Sequence, residues 1–369
     1  MEKKIRATIH IIILITALCL LLTGCKKQYH VDRAFYYWKT QASFTPSDDV
    51  FFKAHLIQSL YIRYFDIAWD SETNKPIPVS IFSLNSPFGS SGTSRPTNGK
   101  KLSNVPENII PVVFITQEVI ENIKPADIDT LGKNISTLIQ SVSSRYNFNP
   151  KEIQLDSDWT FSTRGIYFGI IKQVAFHYKK TNPDIKLSAT IRLHQVKYFR
   201  DTGVPPVDRG TLMVYNTGSL QSYTKTNTIL DVEVAKGYLK NLSLYPLPLD
   251  IALPMFSWGI QFDSHERFIR LFQEISSTDL IKSRNYTKIT ANTFRATTDT
   301  MISDKRIMKN DIIKIDSVSL DQVLEISSFL KNNLNTKEFS VILFHYDPEV
   351  IKEFTNENPE NLSRIFTSF

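Results

Sequence analysis

Apolar residues recur along the chain in short strand-like runs, which are separated by polar stretches and by segments with helical periodicity. In "LSATIRLHQV", Leu187, Ala189 and Ile191 alternate with polar residues, as in a strand with two different faces. Eight such runs are present, at residues 34–38, 59–69, 109–116, 153–158, 187–196, 210–216, 249–256 and 338–346.

Helical patterns lie between most of these runs, and parallel strands need such crossover connections. Helices are predicted at about 46–58, 134–147, 162–180, 228–240, 264–275 and 319–333. Ser319 and Gln322 form a capping-box pattern at the start of the last one. The alternation predicts an α/β protein with a single (β/α)8 TIM-like barrel. The alternative is an open doubly wound sheet.

Two long segments interrupt the alternation and are predicted to be insertions after strands 2 and 7. Residues 69–108 are rich in Ser, Gly and Pro and predict a long loop with one hairpin strand. Residues 276–318 predict short strands around "RIMKNDIIKIDSVS". No glycine-rich phosphate loop follows any strand, so we expect no nucleotide cofactor.

The N-terminus has the pattern of an export signal. A basic segment with Lys3, Lys4 and Arg6 precedes an apolar run, which ends in "LTGC" at Cys25 and resembles the lipobox of bacterial lipoproteins. This resemblance implies a signal peptide at 1–24, a lipidated (palmitate-bearing) Cys25, a tether at 25–31 and a barrel domain at 32–369. The protein would then be anchored by lipid to a cell-envelope membrane, facing the periplasm. An uncleaved N-terminal anchor is the alternative.

Charge and cysteine content narrow the classes of partner and chemistry. The net charge is +6, and removing residues 1–24 with their three basic residues and Glu2 leaves +4, without long basic runs. Nucleic acid is therefore not an expected partner. Cys19 lies in the predicted signal, so the mature chain has no disulfide and no thiolate metal site. The histidines, including His265 and His345, are dispersed without ligand spacing, and no metal is expected.

Polar residues mark the ends of the fourth and fifth strands. Gln154, Asp156 and Asp158 share one face of the fourth strand. Thr190, Arg192 and His194 share one face of the fifth strand. In a parallel barrel such faces point into the lumen, and the functional site lies at the carboxyl ends of the strands. These residues are predicted to form the site. The alternative is an ion pair of Arg192 with an aspartate inside the lumen.

All four tryptophans lie near predicted strand ends, at Trp38, Trp69, Trp159 and Trp258. An indole face stacks on the C–H face of a pyranose, and carboxylates bind its hydroxyls, so this combination predicts a carbohydrate ligand. Asp66, Asp70 and Glu118 add acidic groups near the same ends. The alternatives are hydrophobic packing for the tryptophans, and helix caps or solvated charges for the acids.

These strand ends resemble the chitinase-like barrels of glycoside hydrolase family 18. The fourth strand of that family carries D-x-x-D-x-D-x-E, and "IQLDSDWT" places Asp156, Asp158 and Trp159 in register. The sixth-strand pattern M-x-Y-D is matched by Met213, Tyr215 and Asn216, and "ALPMFSWG" resembles the seventh. Lipoproteins of Bacteroidota-type bacteria that share such a barrel are also similar. The resemblance implies glycoside hydrolysis.

The chain departs from the family pattern at three positions. Ile153 stands in place of the first aspartate, Thr160 in place of the catalytic glutamate, and Asn216 in place of the sixth-strand aspartate. Threonine cannot act as a general acid at ordinary pH, so the family mechanism cannot be carried over. If the protein is catalytic, we expect Asp158 to be the acid and Asp156 to support it.

Two functions therefore remain open. One is a glycoside hydrolase with Glu118 or Asp66 as its second carboxylate, and the other is a non-catalytic glycan-binding barrel. Two rim carboxyl groups roughly 5–10 Å apart would favour hydrolysis, and a lone acid among aromatic rings would favour binding. The predicted ligand-binding residues are Trp38, Asp66, Trp69, Trp159, Arg192, His194, Met213, Tyr215, Asn216 and Trp258.

Overall fold

The structure is a computed structural model that describes residues 29–84, 104–221, 223, 226–273, 275–356 and 358–369. The predicted signal peptide and Cys25 lie outside these residues. In chain order the strands are β1 (His30–Tyr37), β2 (Gln41–Ala42), β3 (Ser59–Asp70), β4 (Lys75–Val79), β5 (Ser83–Leu84), β6 (Asn108–Ile115), β7 (Glu152–Asp156), β8 (Lys186–Arg192), β9 (Arg209–Met213), β10 (Leu249–Pro254), β11 (Ser257–Phe262), β12 (Phe268–Phe272), β13 (Tyr286–Lys288), β14 (Thr293–Ala296), β15 (Thr300–Ile302), β16 (Lys305–Ile307), β17 (Ile312–Ser317) and β18 (Glu338–Phe344).

Helices follow most of the barrel strands. They are α1 (Pro46–Ala54), α2 (Gln117–Asn122), α3 (Ile128–Arg145), α4 (Arg164–Lys179), α5 (Leu193–Lys197), α6 (Phe199–Thr202), α7 (Val232–Tyr238), α8 (Ser277–Lys282), α9 (Leu320–Asn333), α10 (Pro348–Phe354) and α11 (Pro359–Thr367). Short 3-10 turns occur at Pro125–Asp127 and Leu242–Leu244. Within the described ranges, no helix is long and apolar enough to cross a membrane.

Eight parallel strands close into a barrel in the order β1, β3, β6, β7, β8, β9, β10 and β18, and β18 pairs back with β1. Each of the eight predicted runs is one of these strands, so the predicted (β/α)8 barrel is confirmed. The helices that follow barrel strands bury their apolar faces on the outside of the barrel in one core, whereas α8 packs Leu280 into a separate cluster of the inserted sheet. Ser319 forms the predicted capping box with Gln322 at the start of α9.

The insertion after the seventh barrel strand is an antiparallel sheet. Its strand order is β12, β11, β17, β14 and β13, and it begins at Ser257, earlier than predicted. The helix predicted at 264–275 is wrong, because Phe268–Phe272 pairs as a strand with β11. Phe268, Leu271 and Phe272 have helical spacing, but the backbone hydrogen bonds offered by β11 override that local preference.

The insertion after the second barrel strand contains the β3–β4 hairpin and the short strand β5. Trp69 pairs with Pro76 in this hairpin. The Ser- and Gly-rich stretch at 85–103 lies outside the described residues.

Candidate functional site

Arg192 connects Asp156, the last residue of the fourth barrel strand, with Asp158, two residues further along the chain. Its Nη2 donates to Oδ1 of Asp156 at 2.9 Å, and its Nε donates to Oδ1 of Asp158. Thr190 Oγ1 donates to the same Asp156 oxygen at 2.5 Å. Strand alternation directs Asp156, Thr190 and Arg192 into the lumen, whereas Asp158 lies two residues past the end of β7. The arrangement matches the ion-pair alternative.

The two aspartates differ in their exposure to solvent. Asp156 is 2% exposed, whereas the side chain of Asp158 is 57% exposed at the rim. Burial raises the pKa of the Asp156 carboxyl, and the Arg192 guanidinium opposes this effect. The two carboxylates raise the pKa of Arg192 above its usual range despite its burial. The network therefore combines two carboxylates with one permanent cation.

The predicted second carboxylates, Asp66 and Glu118, form no hydrogen bond or ion pair with Asp158 among the described residues. Asp66 is buried, and it pairs with Arg63 three residues earlier, with Nε at 2.6 Å from Oδ1. Glu118 is exposed in the first turn of α2, and no hydrogen bond joins its side chain to Asp156 or Asp158 within the described residues. Thr160, at the position of the family's glutamate, is exposed and its hydroxyl bonds Ser162 and Thr163. Asp70 caps the turn of the β3–β4 hairpin through Glu72 N and Thr73.

Trp159 does not lie at the rim, so its predicted stacking on a sugar is wrong. The side chain is 0% exposed, stacks on Tyr167 at 5.1 Å and donates from Nε1 to the carbonyl of Thr202 at 3.1 Å. Residue 159 has the same parity as Ile153 and Leu155, which face the helices, and not that of Asp156 and Asp158.

A cluster of aromatic rings, here called the mouth cluster, lines the carboxyl end of the barrel. Phe344 lies at its centre, 5.5 Å from Trp38, 5.6 Å from Tyr215 and 5.5 Å from Phe256. The cluster consists of Tyr36, Trp38, Tyr215, Phe256, Trp258 and Phe344. Tyr36, Phe256 and Phe344 were not predicted as site residues, although all three lie in predicted strands.

Four members of the mouth cluster are partly exposed, namely Trp38, Phe256, Trp258 and Phe344. The guanidinium of Arg63 lies over the Trp38 ring at 5.4 Å, and Trp258 Nε1 donates to Thr228 Oγ1 at 3.0 Å. Thr228 in turn bonds Asp316, which pairs with the buried Lys314 of the inserted sheet. The inserted sheet thereby fixes the orientation of Trp258.

Tyr215 brings a polar group to the mouth cluster. Its ring is 8% exposed, and its hydroxyl has no hydrogen-bond partner among the described residues. Burial raises the pKa of this hydroxyl above its usual range, so Tyr215 is a neutral donor. An unpaired buried hydroxyl is costly, and a ligand that accepts its hydrogen bond removes that cost.

The other predicted ligand-binding residues are spread around the barrel end. Met213 is buried on the lumen side of β9, and Asn216 is exposed after it with a left-handed φ of 58°. The fifth strand ends at Arg192, so His194 lies in α5 instead of continuing the strand. Burial lowers the pKa of His194, and Asp158 acts in the opposite direction. Trp69 is partly exposed, in the β3–β4 hairpin.

A groove of about 450 Å³ lies away from the mouth cluster, between α1 and the last two helices. Its walls are mostly apolar and include Phe51, Tyr346, Ile351 and Leu362. The polar residues that line it are Ser47, Asp48, His55, Lys352 and Thr355, and Asp48 already accepts a hydrogen bond from Tyr346. The mouth cluster is the better candidate for sugar binding, because two of its partly exposed rings are indoles and the described residues that line this groove include no tryptophan. In the described part of the chain, no group of three His, Cys, Asp or Glu residues is placed to hold a metal ion.

A second charged network lies at the opposite end of the lumen. Arg209 Nη2 donates to Asp250 Oδ1 at 2.7 Å, and Ser188 donates to Glu152 at 2.5 Å. Burial, reinforced by Asp250, raises the pKa of Glu152 to about 7, and burial raises that of Asp250 to about 6. Because both pKa values exceed their unfolded values, these groups oppose folding increasingly as the pH rises through 4–7.

We expect the variant Glu152→Gln to become more stable relative to the parent as the pH rises from 5 to 8. The amide still accepts the Ser188 hydrogen bond but carries no charge. The relative gain should be on the order of 1–3 kcal/mol, since one pKa unit is about 1.4 kcal/mol. Urea unfolding of both proteins at pH 5 and pH 8 measures it. A relative stability that does not change with pH would contradict the raised pKa.

The sequence matches no known family model, and no curated protein matches it. Solved structures do match its fold. The C-terminal domain of a putative chitinase from Desulfitobacterium hafniense aligns with a TM-score of 0.52 and 9% identity, over 91% of this chain and 99% of that one. The Bacillus cereus spore cortex-lytic enzyme SleL aligns with a TM-score of 0.51 and 13% identity, over 93% of this chain and 75% of that one.

A chitinase from Chromobacterium violaceum aligns with a TM-score of 0.50 and 9% identity, over 92% of this chain and 98% of that one. The chain has the fold of chitinase-like barrels. The resemblance inferred from the fourth and sixth strands is confirmed at the level of fold. At these identities the likeness reaches no further than the fold.

Proposed function

We propose that the barrel binds an oligosaccharide at the mouth cluster without hydrolysing it. The observation that carries this proposal is the shared use of Arg192 by Asp156 and Asp158. A general acid must donate a proton to the leaving oxygen. Asp158 is engaged by a guanidinium, and Thr160 supplies no carboxyl at the position of the family's glutamate. Neither residue is suited to donate this proton.

The mouth cluster supplies the chemistry of sugar recognition. Partly exposed indole and phenyl faces suit the C–H faces of pyranose rings, and Tyr215 and Asp158 offer a donor and an acceptor to hydroxyl groups. The proteins of similar fold are named as chitinases and as a spore cortex-lytic enzyme. Oligomers of N-acetylglucosamine and glycan fragments of peptidoglycan are therefore the first ligands to test.

We expect Trp38→Ala to weaken binding of these oligomers by about 10- to 100-fold, equivalent to about 1.4–2.7 kcal/mol. The change removes a stacking face and leaves Arg63 without the ring beneath it. Isothermal titration calorimetry measures the loss. Trp69→Ala is the matched control, because Trp69 lies in the β3–β4 hairpin and is not a member of the mouth cluster. Equal losses in both variants, or no loss in Trp38→Ala, would move the binding site away from the mouth cluster.

Glycoside hydrolysis is the second candidate, and the shared fold and the raised pKa of the buried Asp156 carboxyl favour it. Release of reducing ends from the same oligomers separates the two functions. Turnover that is abolished in Asp158→Asn while binding persists would establish hydrolysis. Binding without turnover, in the parent as in the variant, supports the non-catalytic proposal.

We further propose that the protein is a lipoprotein of the cell envelope, anchored through Cys25. The proposal rests on "LTGC" at the end of the apolar N-terminal run and on the absence of any other cysteine after it. Cys25→Ser should release the protein from the membrane fraction. Two or three acyl chains anchor a protein stably, and the variant would carry no acyl chain. Fractionation followed by high-salt extraction measures this. A variant that stays with the membranes after salt extraction would contradict lipidation.

A further inference from the structure

The chain enters the barrel at the end opposite the mouth cluster. His30 is the first residue of β1, and its backbone N–H donates to the carbonyl of Lys337, just before β18. Tyr29 is fixed at the same end, where its hydroxyl donates to the carbonyl of Lys331 at 2.6 Å. Its ring also packs on Phe339 at 5.8 Å. We call this end of the barrel, at the amino ends of its strands, the basal face.

Only four residue steps separate Cys25 from Tyr29. Four residues span at most about 14 Å even when fully extended. A lipid on Cys25 would therefore hold the basal face within that distance of the bilayer surface. The strands run from this face to the mouth over about 20 Å, given eight residues at about 3.3 Å each and the usual tilt. The mouth cluster would thus open away from the membrane.

The composition of the basal face suits an anionic surface. Strand starts and helix ends meet there in a (β/α)8 barrel, and they carry exposed lysines at positions 151, 179, 180, 186, 240 and 337. Exposed carboxylates at this face are Glu107, Asp184, Asp208 and Glu338, and Asp208 pairs with Lys186 at 3.5 Å. Leu244, 60% exposed in the turn before β10, adds an apolar side chain.

We propose that the basal face docks on an anionic lipid bilayer and that the mouth cluster faces away from it. This inference rests on the proposed lipidation of Cys25. The partner of the basal-face lysines is then the phosphate headgroups of anionic lipids. Their electrostatic attraction adds to the membrane affinity that the acyl anchor provides.

Fluorescence quenching in vesicles tests the orientation. The acylated mature chain has no free thiol, so Ser243→Cys on the basal face and Ser162→Cys near the mouth each accept a single fluorophore. Both proteins are reconstituted in vesicles of phosphatidylglycerol and phosphatidylethanolamine that contain a headgroup nitroxide quencher. We expect strong quenching at position 243 and little at position 162. Equal quenching at both positions would overturn the proposal.

Charge reversal tests the partner. Lys151→Glu, Lys179→Glu and Lys240→Glu together should reduce quenching at position 243 while the protein still floats with the vesicles. Lys282→Glu, Lys288→Glu and Lys309→Glu, all exposed in the inserted segment, make the same change of charge and should have no effect. Equal effects of the two triple variants, or none from the first, would overturn docking on anionic lipid.

The mass of the N-terminal peptide separates failure of the anchor from failure of the docking proposal. An unacylated Cys25 would overturn the lipoprotein proposal, and the orientation with it. An acylated protein whose two labels are quenched equally would overturn only the orientation. Neither result bears on glycan binding at the mouth cluster.

Discussion

Arg192→Met is expected to lower the free energy of unfolding by about 3–5 kcal/mol at pH 7, the usual cost of removing one partner from a buried ion pair. The side chain of Arg192 is 18% exposed and holds both Asp156 and Asp158. Without the guanidinium, Asp156 is left buried, and among the described residues only the Thr190 hydroxyl remains as a side-chain hydrogen-bond donor to it. Urea unfolding of the parent and the variant measures the loss.

The loss in Arg192→Met should shrink as the pH falls. Burial raises the pKa of Asp156, so the folded variant takes up a proton at a higher pH than the unfolded chain, and protonation then favours the fold. The double variant Arg192→Met with Asp156→Asn should recover most of the stability at pH 7. Asp158→Asn is the matched control, and it should cost less than about 1 kcal/mol because its side chain is largely exposed. A loss that is the same at every pH would contradict the charge argument.

Trp159→Ala is expected to destabilise the protein by about 3–5 kcal/mol, as large-to-small changes of buried tryptophan do. The ring is 0% exposed between Tyr167 and Phe168, so its removal leaves a cavity beside α4. It also leaves the carbonyl of Thr202 without the indole donor. Chemical denaturation measures the change.

Trp38→Ala is the contrasting variant, because Trp38 is partly exposed in the mouth cluster. It should lose glycan affinity with a much smaller loss of stability, whereas Trp159→Ala should retain the affinity of its folded fraction. The reverse result would place Trp159 at the ligand and Trp38 in the core.

The pattern of the chain was sufficient to predict the barrel. Each barrel strand has a continuous or alternating apolar run, because a strand packed between the lumen and a layer of helices buries both faces. The same criterion failed at 264–275, where the helical spacing of Phe268, Leu271 and Phe272 was misleading. The antiparallel partner β11 that decides this segment is set by tertiary pairing, which local periodicity does not encode.

The candidate site was predicted in part. Alternation along β7 and β8 directed Asp156 and Arg192 to the lumen, since side chains on a strand point alternately to its two faces. Asp158 follows β7 and is exposed at the rim. The same parity rule places Trp159 among the helices, whereas its position near a strand end alone had predicted an exposed ring. Phe256 and Phe344 were missed because single aromatic residues at strand ends are equally common in cores.

The sequence by itself determined the order and type of the barrel elements, the lumen position of Asp156 and the lack of the family's catalytic glutamate. These properties depend on residue identity and on periods of 2 and 3.6 along the chain. Only the tertiary structure decided that Arg192 binds both aspartates and that the ring of Phe344 contacts the other aromatic rings of the mouth cluster. It also decided that the chain enters the barrel at the end opposite the mouth cluster. Each of these depends on contacts between residues far apart in sequence, which are fixed when the barrel closes.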